Sequence, residues 1–470
     1  MTITGHEQTH PLYPGAASYY DKCETLYDGG EAVNRTARRF LTQHPFEKDN
    51  QYDIRLTRAA YKNFAAPTVD LFSSSIMDTS KREGIKELPS LSPMLQDCNG
   101  LNFPPDVFFK GIATRAAAAG ARFVLVDMPK AEEEALTVGE AKRQGLIPFF
   151  VDIPARNVID WGYDSKGALS YAVIKESHYR SPGPFQKHEE VSTITAWTKS
   201  EWQRYEALSG TSYTLTGEGA HPVGRVPLVP FLYEQNTPMT GSSVLDDVAS
   251  LLVRIFNQDS ELDKMLFDAA MPLLAAYGLK ENEVDTLVRA TSSLWRFTLT
   301  DARLEFVEPS GSSFAAKRQQ IMDDIDCLRE ISLRQTRPKG AQVETAEGKR
   351  LDNIQLSSQL AEFARNAAAS ELQCWKFATA WLELGKEATG SIEVEYNQVF
   401  DPDALKEKLD ALYLELFKES AISRDTLLKQ TLGWDDDRVE EEAALLEQNA
   451  RAGQSSAGSL ASIFQQQLNR

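Results

Sequence analysis

Residues 314–350 read FAAKRQQIMDDIDCLREISLRQTRPKGAQVETAEGKR. Ile321, Ile325 and Leu328 recur at spacings of four and three, a seam narrower than the apolar stripe of an ordinary core helix. The pattern predicts a helix over 313–335, a Gly/Pro-marked loop over 336–350, and a further long helix from Leu351. The stretch carries Lys317, Arg318, Arg329, Arg334, Arg337, Lys339, Lys349 and Arg350 against six acids. A mildly basic loop in an acidic chain reads either as salt-bridged surface or as a phosphate-contacting loop, since phosphate needs cations but no base-edge geometry.

On the N-terminal side, Val244, Val248, Leu251, Ile255, Leu262, Leu266 and Ala269 keep one helical face over 243–270. Ser243 is a cap candidate, with Asp246 and Asp247 in the first turn. Such a helix is roughly 40 Å long, and Pro272 and Gly278 end it. The segment between the two helices predicts a small insert: a helix over 281–290 and strands over 294–299 and 303–307. Two long helices with a narrow seam and polar flanks fit a monomer's core poorly. They suit a ring, where each flank meets a neighbouring copy and one edge faces a channel.

Further out, residues 1–50 read as a polar, irregular arm with turn signals at Pro14-Gly15 and Gly29-Gly30. A helix over 52–77 follows, with Pro67 as a kink, then a loop over 81–100. Pro104-Pro105 opens a helix that Gly120 stops. Strands are expected near 122–127, 147–153, 169–177, 194–199, 202–206 and 211–215, and a charged helix over 130–144. This middle region is α+β with antiparallel hairpins rather than a βαβ series. Three prolines within HPVGRVPLVPF (221–231) argue for a rigid extended connector and against a central strand. Beyond 350 come a helix to about 384, a strand over 392–399, helices through 447, and a Gln/Ser/Ala-rich tail read as mobile.

Composition narrows the function. The 470 residues carry a net charge of −18, which argues against a general nucleic-acid coating protein but not against local contact. Four scattered cysteines, without a CxxC pair, read as reduced and structural. The six histidines show no metal spacing, the first ten residues no secretory pattern, and no apolar run reaches the ~18 residues of a membrane helix. There is no phosphate loop, no GxGxxG after a strand and no GxSxG elbow. Asp323, Asp324 and Asp326 do not share one helix face and read as solvated rather than metal-ligating. His221 reads as part of the connector rather than a general base, and Trp375 and Trp381 as core. No catalytic group, metal site or cofactor is expected.

Several pieces, taken in order, resemble the portal proteins of tailed double-stranded DNA bacteriophages. They are Tyr61-Lys-Asn-Phe64, Thr68-Val69-Asp70, VDIPARNVIDW (151–161), the 221–231 connector, Leu245-Asp-Asp-Val-Ala249, Phe306-Val-Glu-Pro-Ser-Gly311, Val343-Glu-Thr-Ala346 and Ile422-Ser423. The resemblance covers roughly residues 50–447. It implies a mainly helical α+β portal-type fold, assembled as a ring of typically twelve copies at one capsid vertex. By order, it implies an arm at 1–50, a wing at 51–241, stem helices at 242–270 and 313–335, and a clip at 271–312. A tunnel loop then takes 336–350, a helix and strand returning to the wing 351–400, a crown 401–447 and a tail 448–470. Val248, Leu251, Ile255, Ile321, Ile325 and Leu328 become stem packing, and the eight cations become candidates for touching DNA in the channel. Implied partners are further copies of the chain, double-stranded DNA, the terminase large subunit, the major capsid protein and scaffold, and head–tail adaptor proteins, without a membrane. The place is the virion, with assembly in the host cytoplasm. The competing readings are another head–tail component, such as an adaptor or capsid-associated protein, and a nucleotide-driven DNA translocase, which the missing phosphate loop disfavours.

Overall fold

The computed structural model describes residues 8–77, 80–129, 146–181, 183–208, 212–269, 273–277, 303–307, 311–332 and 346–398, with 400 and 438. The chain divides into two units, Met1–Gln398 and Val399–Arg470, and every element below lies in the first. The expected helices at 130–144 and 281–290, the strand at 294–299 and the 401–470 crown and tail, apart from 438, lie outside the described residues.

Residues 8–50 are not an irregular arm. Helix α1 (Tyr13–Asp28) carries Pro14 in its first turn and is followed by α2 (Gly30–Arg35). Tyr20, Cys23 and Leu26 recur every third residue and are buried. Charged side chains of α1 pair with residues elsewhere in the chain. Asp21 meets Arg39 at 2.5 Å and Arg156 at 2.7 Å, and Glu24 meets Arg122 at 3.2 Å. The expected 52–77 helix is two helices, α3 (Asp49–Arg58) and α4 (Ala65–Met77). Asn63 makes the break. Its Oδ1 accepts the backbone N–H groups of Ala65 and Ala66, and its Nδ2 donates to Tyr27 O at 2.8 Å. An Asn there satisfies donors that a new helix leaves orphaned. Pro67 therefore sits in a first turn, where its missing N–H costs nothing, and is not a kink.

Strand β1 (Lys81–Glu83) lies in the expected loop. Helix α5 (Pro105–Ala119) begins and ends where the prolines and Gly120 place it. Gly120 has φ +102°, and a Cβ there would lie 2.7 Å from Gly241 O, so only glycine fits. Strands β2 (Ala121–Asp127), β3 (Phe149–Pro154), β4 (Val158–Tyr163), β5 (Leu169–Arg180), β6 (Glu189–Thr198), β7 (Glu201–Leu208), β8 (Thr214–Ala220) and β9 (Leu228–Leu232) follow, then the small hairpin β10 (Glu234–Thr237) and β11 (Thr240–Ser242). They form two antiparallel sheets, β3-β2-β9 and the meander β4-β5-β6-β7-β8. The connector does supply a strand, but β9 is an edge strand, the place where Pro230 is tolerated. Ala121, Phe123 and Leu125 share one core with Trp161, Ile174 and Trp197 of the meander. On β3, Phe150 packs instead against Phe109 of α5 and against Trp375, with ring centroids 5.4 and 5.1 Å apart.

Helix α6 (Asp246–Ala269) leads to β12 (Leu273–Tyr277), which pairs antiparallel with β13 (Arg303–Val307), and α7 (Gly311–Ser332) follows. Ser243 works in two directions: its Oγ accepts Leu245 N–H and donates toward the Ala117 and Ala118 carbonyls that end α5. Helix α8 (Ala346–Trp381), the short α9 (Lys386–Gly390) and β14 (Glu393–Glu395), paired with β1, complete the unit. Because α8 begins at Ala346, residues 346–350 belong to a helix and not to the expected 336–350 loop.

Candidate functional site: the paired helices

Helices α6 and α7 are joined by two ion pairs, Arg254 Nε to Asp324 Oδ2 at 3.0 Å and Lys317 Nζ to Glu261 Oε2 at 2.6 Å. From one pair to the other the chain advances seven residues on α6 and retreats seven on α7, so the helices are antiparallel. The β12–β13 pairing continues the same antiparallel path.

The seam runs past the Arg254–Asp324 pair, with Ile255 and Ile321 between the two pairs and the rest beyond the first. Val248, Ile255, Ile321, Ile325 and Leu328 are buried, while Leu251 is half-buried. Leu252 and Phe256 are buried in its place. The apolar face of α6 is turned from the expected one because α6 also packs on α1 and α3. Phe256 meets Tyr61 edge-on, with centroids 5.6 Å apart.

The structure separates the eight candidate cations. Lys317 is committed to Glu261 across the helix pair. Arg318 is exposed on α7. Arg329 lies on the α7 backbone, and Lys349 and Arg350 fall in the first turns of α8. Arg334, Arg337 and Lys339 lie outside the described residues. The neighbouring acids do not converge: Asp324 turns to Arg254, and Asp323 accepts from Gln319 at 2.8 Å. Among the described residues no group of three His, Cys, Asp or Glu side chains is placed to hold a metal.

Two polar nodes that no motif announced fix the helices to the rest of the unit. At the C-terminal half of α6, Arg55 and Glu47 form a pair with both side chains 2% exposed. Arg55 also donates to Ser260 Oγ at 3.0 Å and to Thr42 O at 2.6 Å, and Lys264 lies 3.3 Å from Glu47. The hydrogen bonds from Arg55 hold the Glu47 carboxyl down to about 2, against the burial that would raise it. On α8, Glu371 is fully buried and accepts from Arg82 twice, from Trp375 Nε1 and from Tyr396 Oη. Arg82 also reaches Asp106 at the start of α5. Burial alone would push the Arg82 guanidinium toward neutrality, and the charge of Glu371 more than reverses this.

The other singled-out residues are structural. His221 is buried between Trp197 and Trp381, with Nε2 3.1 Å from Thr198 O. Trp375 is core, and Trp381 donates to Val126 O at 2.8 Å. Cys23, Cys98 and Cys374 are free and buried, and Cys327 is exposed on α7. Among the described residues no helix is long and apolar enough to cross a membrane.

A family model described as a domain of unknown function, DUF4055, matches residues 244–382, which take in α6, β12, β13, α7 and α8. No curated protein matches the chain. Among solved structures, the chain is similar to one from the neck of a native GTA particle computed with C12 symmetry. The identity is 14% and the TM-score 0.39, with 77% of this chain and 88% of that one covered. It is likewise similar to one from the neck of an empty GTA particle computed with C6 symmetry. There the identity is 13% and the TM-score 0.38, with 86% of this chain and 98% of that one covered.

Proposed function

We propose that the chain is a portal subunit of a tailed double-stranded DNA phage. Copies close into a ring at one capsid vertex, and DNA passes through the central channel during packaging and ejection. The end of the ring at β12–β13 receives the terminase motor and later the head–tail adaptor proteins. The observation that carries this is the antiparallel pair α6–α7, with its narrow seam and its continuation into β12–β13. This arrangement supports the stem-and-clip order that the sequence pieces imply. The neck structures, at the levels of superposition given above, add no support.

The electrostatics suit the role. Copies with a net charge of −18 repel DNA at long range and limit sticking. Loop cations between α7 and α8 supply local, salt-dependent phosphate contact. The work of translocation belongs to the motor, so the chain needs no catalytic group. Replacing Arg334, Arg337 and Lys339 together by alanine tests the loop. DNA packaging or retention should fall while ring formation persists; unchanged packaging by the triple variant would refute the assignment.

A further inference from the structure

Between α3 and the last turns of α6 lies an open hollow of about 430 Å³. Ile54, Arg58, Asp263, Lys264 and Phe267 line it. Ile54 is 53% exposed and Phe267 41%. The Arg58 guanidinium lies 3.8 Å from the centroid of the Phe267 ring, a cation held over an apolar wall. Beneath it, the buried Arg55–Glu47 pair makes a fixed floor. The hollow thus pairs two exposed apolar walls, Ile54 and Phe267, with the charged Arg58, Asp263 and Lys264.

Helix α7 exposes an apolar side chain flanked by charges. Met322 is 44% exposed, with Arg318 one turn before it and Asp323 beside it, both exposed. The hollow and Met322 lie on different elements packed against α6. α6 meets α3 through Ser260 and Lys264, and it meets α7 through Arg254 and Glu261. A head-to-tail contact between copies needs two such unlike, complementary patches on one molecule. Each patch also carries both signs, Arg58 and Asp263 on the hollow and Asp323 and Arg318 on α7, so two opposite-charge pairs can form around one apolar contact.

We infer that the hollow between α3 and α6 receives the Met322 face of α7 from a second copy of this chain. The inference rests on the ring reading above and names the contact that closes the ring. It also moves Arg318 from the channel to the interface between copies.

Charge reversal in the full-length protein tests it, with rings counted by electron microscopy and folding checked by thermal melting. Arg58→Glu and Asp323→Arg, each alone, should cut the fraction of rings at fixed concentration by about tenfold or more, the effect of about 1.4 kcal/mol per contact. The double variant should recover them. Singles that ring like the unaltered chain, or a double that stays as poor as the singles, would overturn the inference. A second arm does not depend on charge. Ile54→Cys with Met322→Cys, in a Cys327→Ser background, should give a ladder of covalent multimers on oxidation. Rings without a ladder would overturn this contact and leave the ring reading standing. An unaltered chain that never forms rings would overturn the ring reading itself.

Discussion

Glu371 and Glu261 are the same side chain used in two opposite ways. Glu371 on α8 has no exposure, and its carboxylate takes four hydrogen bonds, from Arg82, Trp375 and Tyr396. Glu261 on α6 is 27% exposed and is met by His44 and Lys317, themselves partly open to water. A buried carboxylate is tolerated only where every acceptor site is used, and it then fixes one geometry. A part-exposed pair costs little and gives little. The body around α8 is thus specified by a single chain. The helix pair is held by a thin seam and by part-exposed ion pairs.

The contrast can be broken from its strong end. Glu371→Ala should destabilise the full chain by about 3–5 kcal/mol, because it strands the buried Arg82; chemical denaturation reads this directly. Ile321→Ala, in the seam, should cost about 2–4 kcal/mol even in dilute monomer, because Ile321 is buried within one chain. A cost near zero would contradict that packing. The Arg55–Glu47 node sharpens the comparison through pH. The Glu47 carboxyl is lowered from its ordinary 4.5 to about 2, so its contribution is complete above 4.5 and is lost as pH falls toward 2. Glu47→Gln should flatten that part of the acid-unfolding profile, and an unchanged slope would remove Glu47 as its source. Lys317→Ala, at the weak end, should cost less than about 1 kcal/mol. A loss as large as that of Glu371→Ala would erase the distinction between the two regions.

What the sequence made legible follows the range of the interactions. Gly120 and the prolines before α5 act over a few residues, and they bounded the helix where expected; Ile321, Ile325 and Leu328 are buried within one chain, although their narrow seam was expected to fit a monomer's core poorly. α1 was hidden because its charges pair with Arg39, Arg122 and Arg156, far along the chain. β1 was hidden because its partner is β14, at the other end of the unit. Asn63 was legible in principle, as an Asn just before a helix, and Pro67 drew the eye instead. In the candidate site, spacing gave the two helices and the inner face of α7, but not that of α6, where Leu252 and Phe256 are buried and Leu251 is half-buried. It could not give the Lys317–Glu261 pair, which depends on how the helices are registered, nor the hollow between α3 and α6, which depends on tertiary packing.

The central claim is that this chain assembles as a ring through which DNA passes. Negative-stain electron microscopy of the purified full-length protein tests it most directly. The account predicts closed rings with a central opening, uniform in copy number. A monodisperse monomer at high concentration, with no rings under capsid-like conditions, would contradict it.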